Sequence, residues 1–144
     1  MLKEYLNRWY IVGEVLNANE IRIFGIDRIV NLNLLSEKFV PKPNIGIKER
    51  FENVIGLMYD GKVEKVELSF PEIQGRYIKS LPWHKSQKII IDNEKEFRIE
   101  LTVFPNDELK QKILSLGGHV KVIKPKWLVN DVKEALKEAV KNYE

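Results

Sequence analysis

The sequence contains no cysteine among its 144 residues. That absence excludes a disulfide framework, a thiolate zinc site and a cysteine nucleophile. Histidine is nearly as scarce. His84 and His119 stand 35 residues apart, and neither has a carboxylate three or four positions on. A metal site would have to borrow its acids from elsewhere, so no metal is expected. No apolar run approaches the ~20 residues of a membrane span, and the opening Met1-Leu2-Lys3-Glu4-Tyr5 has no apolar leader. A cytoplasmic address with no membrane partner is therefore expected. The G-x-S-x-G, P-loop, G-x-G-x-x-G and H-E-x-x-H patterns are also missing. The one adjacent acidic pair of note, Asp107-Glu108, is what the first turn of a helix favours. Neither an enzyme nor a resident cofactor is expected.

What is present describes a folded chain: 44% hydrophobic, 31% charged and 10% aromatic residues, richer in aromatics and aliphatics than a disordered tail. The length suits one ordinary domain or two small ones. Twenty-four basic residues against 21 acidic leave a net charge of +3. Through Asp60 there are 8 of each, and beyond it 16 basic and 13 acidic, so neither part is a basic tail. Eighteen of the cations are lysine, many beside glutamate, the pattern of a solvated surface. A nucleic-acid partner is allowed by this balance but not demanded by it.

The best boundary is the turn-forming stretch Tyr59-Asp60-Gly61-Lys62, which divides residues 1–59 from 60–144. In the first part, Arg8–Gly13 reads as a strand, Asn17-Ala18-Asn19 as a turn and Glu20–Ile29 as the next strand. Val30–Leu35 alternates leucine with asparagine as a bent continuation, Pro41-Lys42-Pro43 ends the strands, and Ile47–Ile55 has helical spacing. These are few elements for an independent core, since a small barrel needs about five strands.

The second part is clearer. Val66, Leu68 and Phe70 alternate with polar residues, and Ile73, Tyr77 and Leu81 are spaced as one helical face. Gln87–Ile91 and Phe97–Val103 read as strands around an Asp92-Asn93 turn. Asn106 can cap a helix that buries Leu109, Ile113 and Leu116 and stops at Gly117-Gly118. Val120 and Val122 mark a fourth strand, closed by Pro125. The order β-α-β-β-α-β is the ferredoxin-like unit. The last twenty residues form one amphipathic helix with Leu128, Val132, Leu136, Val140 and Tyr143 on its apolar stripe. The fold class is α+β.

Two constellations carry chemistry. The first joins Arg8-Trp9-Tyr10-Ile11 to Arg22-Ile23-Phe24-Gly25-Ile26-Asp27-Arg28-Ile29. Arginine forks match phosphate geometry and aromatic faces stack on bases, so this set suits a phosphate or a nucleobase. Asp27 can hold a neighbouring guanidinium. The plainer alternative keeps Trp9 in a core, Tyr10 half-buried and the arginines in structural ion pairs. The second constellation is Pro82-Trp83-His84-Lys85-Ser86-Gln87, which leads from a helix into a strand. It suits a nucleotide or a partner; alternatively Trp83 plugs the helix–sheet junction and His84 caps it.

These residues resemble the WYL-domain family of bacterial transcriptional regulators. Arg8-Trp9-Tyr10-Ile11 is similar to the family's Trp-Tyr-Leu, with Ile11 in place of leucine. Arg22 followed by Phe24-Gly25-Ile26-Asp27-Arg28-Ile29 resembles its F-x-L-D-R-I block, and Trp83-His84-Lys85-Ser86-Gln87 the W-H-x-S-Q loop of the C-terminal extension called WCX. The ending, Leu114-Ser115-Leu116-Gly117 and Val120 to Pro125 before a helix finishing in Tyr143, also fits. The resemblance implies an Sm-like (SH3-type) barrel bearing the motif, here partial, followed by the ferredoxin-like extension. It implies a helix-turn-helix DNA-binding domain in a full-length protein and a homodimer. The implied function is effector sensing, with a nucleotide or short single-stranded nucleic acid as ligand. Carried over by position, the ligand-facing set is Tyr10, Arg22, Asp27 and Arg28, with Trp83, His84 and Gln87 as additional contacts. A dimerisation or protein-interaction module with no ligand is the alternative.

Overall fold

The computed structural model describes residues 1–15, 20–38 and 46–144. The turn expected at Asn17-Ala18-Asn19 and the strand stop at Pro41-Lys42-Pro43 lie outside the described residues. Among the described residues four α-helices and two antiparallel sheets make the fold α+β. Its contacts group into two units, Met1–Glu52 and Asn53–Glu144.

The first unit is a three-stranded meander, β1 (Leu2–Tyr5), β2 (Arg8–Val15) and β3 (Glu20–Gly25). Leu6 and Asn7 both take positive φ, 50° and 60°, so the β1–β2 connection is a two-residue turn of the mirror-image kind that matches strand twist. Registers Leu2↔Ile11 and Ile11↔Phe24 put these three apolar side chains on one face, together with Trp9 and Arg22. Tyr10, buried Val12 and Ile23 point the other way. On that second side Lys3 holds its ammonium 5.3 Å from the centre of the buried Phe51 ring.

Two expected elements are shorter than their patterns. After Gly25 the chain turns through a 3-10 segment, Ile26–Arg28, and Val30–Leu35 is not a strand. Its alternation would need a neighbouring strand, and none lies beside it among the described residues. The helix expected over Ile47–Ile55 is a single turn, α1 (Ile47–Arg50). Just beyond it, the Asn53 carbonyl accepts from Phe104 N–H at 3.0 Å, drawing the chain out of helical geometry.

The second unit runs β4 (Glu64–Phe70), α2 (Glu72–Ser80), β5 (Lys88–Asp92), β6 (Phe97–Val103), α3 (Asp107–Leu114), β7 (Lys121–Lys124) and α4 (Lys126–Lys141). The strands pair antiparallel in the order β5-β6-β4-β7. Val66, Leu68 and Phe70 from β4 and Phe97, Ile99, Leu101 and Val103 from β6 are buried against Ile78, Leu109, Ile113, Leu128 and Val132 of the helices. The opposite sheet face is charged. There Glu67 and Glu100 sit directly across from each other, a like-charge pair made tolerable by Lys124 at 2.7 Å and Lys65 at 3.2 Å. On the same face the Ser69 hydroxyl and the Arg98 guanidinium hold the Glu96 carboxyl below the usual carboxylate range.

The side of α2 that packs on the sheet is not its apolar row. Ile73, Tyr77 and Leu81 face solvent, Tyr77 being 67% exposed, while Gly75 and Ile78 pack on the sheet. Gly75 lets the helix backbone approach so closely that an added Cβ would lie 2.3 Å from Phe97 Cβ. α3 follows its sequence signals: the Asn106 side chain accepts from Leu109 N–H at 3.3 Å and donates to the Met58 carbonyl at 2.8 Å.

Candidate functional site

Residues of β2 and β3 gather where β3 gives way to the 3-10 turn. Asp27 folds back over Gly25, where a Cβ would meet its Oδ1 at 2.6 Å. Asp27 thereby reaches back toward β2, where its Oδ2 lies 3.8 Å from a guanidinium nitrogen of Arg8. Arg28 faces a cavity of about 340 Å³ lined with Ile11, Phe24 and Ile29. Among the described residues Arg28 has no ion-pair or hydrogen-bond partner. Arg22 is bound to Glu20 on the same strand face, at 2.9 and 3.2 Å through two nitrogens. Both groups are exposed, and such a pair is worth about 0–1 kcal/mol, so Arg22 can exchange Glu20 for another anion at small cost.

The expected set divides across the sheet. Arg22 is in register with Gly13 and Tyr10 with Gly25, so Arg22 and Tyr10 point to opposite faces. Arg22 shares its face with Phe24, 48% exposed, and Trp9, 53% exposed. Phe24 belongs with the arginines although it is outside the expected ligand set. The signal was in the strand alternation, which sets Phe24 two positions from Arg22. Guanidinium groups beside an accessible ring can bind an anion and stack a flat group at once.

The Trp83–Gln87 loop lies in the second unit and is closed by its own hydrogen bonds. Gln87 Oε1 accepts from Trp83 N–H at 3.0 Å, and Gln87 Nε2 donates to the Ile78 carbonyl at 3.3 Å, tying the loop to the end of α2. Ser86 Oγ accepts from Thr102 N–H at 2.9 Å and donates to the Thr102 carbonyl at 3.2 Å, fastening the loop to β6. His84 Nδ1 accepts from Ser86 N–H at 3.1 Å and lies 2.7 Å from Ser86 Oγ. Trp83 packs edge-on against Phe70, ring centres 5.8 Å apart, under the Lys112 ammonium 4.9 Å from its centre. Burial lowers the Lys112 pKa from its ordinary value.

One polar residue of consequence was legible only as a helix-start signal. The buried Glu108 carboxylate accepts from Leu57 N–H at 2.8 and 2.9 Å and from Met58 N–H at 2.9 Å. It fixes the segment before β4 onto α3. Among the described residues no group of His, Asp or Glu is arranged to hold a metal ion, and no helix is long and apolar enough to cross a membrane.

The WCX-domain family model matches residues 62–140, more than half of the chain. The chain therefore belongs to the WCX family, the C-terminal extension associated with WYL-domain regulators. The match falls within the second unit, and the Arg8–Tyr10 and Phe24–Ile29 motifs precede it. Among solved structures, proteasome accessory factor B/C (PafBC) of Arthrobacter aurescens is similar at 21% identity and a TM-score of 0.37. The alignment covers 91% of this chain and 20% of that one, so the chain spans about a fifth of that protein's length. No curated protein matches the sequence.

Proposed function

We propose that the chain is an effector-sensing part of a bacterial transcriptional regulator and that its effector is a nucleotide or a short single-stranded nucleic acid. The observation that carries this reading is Arg28, an arginine without a partner among the described residues, beside exposed Phe24 and on a face that also presents Arg22. A phosphate would bridge to the guanidinium groups and a base would lie on Phe24. Asp27 orients Arg8 at the margin of this surface; Tyr10 faces away from it. Trp83, His84 and Gln87 act in this reading by holding their own loop.

In the same reading the first unit is part of an Sm-like barrel and the second a ferredoxin-like domain, for which the β-α-β-β-α-β order and the β5-β6-β4-β7 pairing are the support. The full-length regulator is cytoplasmic, homodimeric and non-enzymatic, with a helix-turn-helix domain that reports which arrangement of the two units the ligand favours. A second reading, an interaction module with no ligand, is favoured by the exposed apolar row of Leu2, Trp9, Ile11 and Phe24.

Arginine truncation separates the two. In fluorescence-anisotropy titrations of a labelled short oligonucleotide, Arg22→Ala and Arg28→Ala are each expected to weaken binding about tenfold or more, roughly 1.4 kcal/mol. Melting temperatures should stay nearly unchanged, because neither side chain anchors the fold. A fall in melting temperature with binding unchanged would support the interaction module instead.

A further inference from the structure

Among the described residues β7 ends its sheet, and its unpaired edge is flanked by an apolar groove of about 410 Å³ lined chiefly by Val122, Val129, Val132, Leu136 and Val140. The cause is visible in α4. Leu128 and Val132 bury against the sheet, but the same stripe continues as Leu136, Val140 and Tyr143, which are 42%, 56% and 92% exposed. The C-terminal half of α4 thus leaves part of its apolar face uncovered, an overhang beside β7. An unpaired edge presents backbone donors and acceptors ready for another strand.

Charge narrows the occupant. Lys121, Lys133 and Lys137 line the groove and no carboxylate does. Glu134 pairs with Lys137 at 2.7 Å, but from outside the lining. Centred antiparallel pairing of β7 with β7 of a second copy would set Lys121 across from the other copy's Lys124, a cation pair at each end that the single Glu67 contact of Lys124 offsets only in part, which disfavours self-association here. We propose that β7 and the overhang of α4 form a docking site for an extended acidic segment of another protein. That segment adds as a fifth strand, places alternate apolar side chains under Leu136 and Val140, and sets carboxylates near Lys133 and Lys137. The four residues of β7 suit a segment of about five or six residues at ~3.3 Å each.

The probe is a fluorescein-labelled hexapeptide of alternating glutamate and valine, compared with its lysine–valine counterpart and with a version N-methylated on alternate residues. The full chain should bind the glutamate peptide saturably, and both N-methylation and Leu136→Glu should weaken it about tenfold. The double variant Lys133→Glu, Lys137→Glu, which leaves the buried stripe intact, should exchange its preference for the lysine peptide. Absence of saturable binding, or indifference to N-methylation, overturns strand addition. Unchanged preference in the reversed variant overturns the acidic assignment. A protein mass that rises with concentration and is lost in Leu136→Glu would seat a second copy in the groove and refute the proposal.

Discussion

Gly75→Ala is expected to destabilise the second unit by about 2–3 kcal/mol, a fall in melting temperature of roughly 10 °C for a unit of this size. Alanine is ordinarily the better helix former by about 1 kcal/mol, so the sign of the effect is the informative part. The new methyl carbon would stand 2.3 Å from Phe97 Cβ and 2.6 Å from its Cγ. Phe97 is buried on β6 and cannot swing aside, because its Cβ is fixed by the strand backbone. The helix must therefore lift, loosening Ile78 from the core it shares with Phe97. Gly118→Ala serves as the control, since nothing lies within 4 Å of the Cβ it would add. Thermal melts followed by circular dichroism should show a large loss in the first variant and almost none in the second. Equal behaviour would mean that α2 does not rest on Phe97 through Gly75.

Glu108→Ala should cost about 3 kcal/mol, because it strands two backbone donors that now share one carboxylate. Glu108→Gln keeps an acceptor and should fall between Ala and the native residue. The local readout is amide exchange: Leu57 and Met58 should lose protection in the alanine variant while β6 retains its own. Protection that survives the substitution would show that Phe104 and Asn106, which also bond to this segment, hold it alone. Gly56 belongs to the same device, since a Cβ there would lie 2.5 Å from Glu108 Oε2.

These two residues show where sequence reasoning stops. Strand β6 was readable to its ends because alternation of Phe97, Ile99, Leu101 and Val103 has one cause, a sheet with one buried face. The Asn106 cap was readable because its side chain satisfies a backbone donor three residues on. The buried side of α2 was not, because a count of apolar residues selects Ile73, Tyr77 and Leu81, whereas the sheet contact is made by a glycine and one isoleucine. Closeness of approach, not hydrophobicity, decided that face. Strand β1 carries a weak signal for a related reason: of the two positive-φ residues in its turn, Asn7 is a usual guide but Leu6 is not.

The candidate site was legible as a list but not as an arrangement. The two motifs named Tyr10, Arg22, Asp27 and Arg28, and the bend at Gly25 brings Asp27 back to Arg8. Pairing register separates Tyr10 from Arg22, and register follows from hydrogen bonds between strands that no single segment displays. Glu108 was hidden more completely, since its partners are backbone N–H groups about fifty residues earlier.

The most direct test of the proposed function is to locate the ligand on the chain. An amide NMR titration with a short oligothymidylate, at two salt concentrations, does this without presuming an affinity. The account predicts shifts concentrated at Gly13, Arg22, Phe24 and Gly25–Ile29, weakened by salt and abolished in Arg28→Ala. Shifts confined to the lysines of β7 and α4, indifferent to Arg28→Ala, would contradict it and leave only a diffuse basic surface.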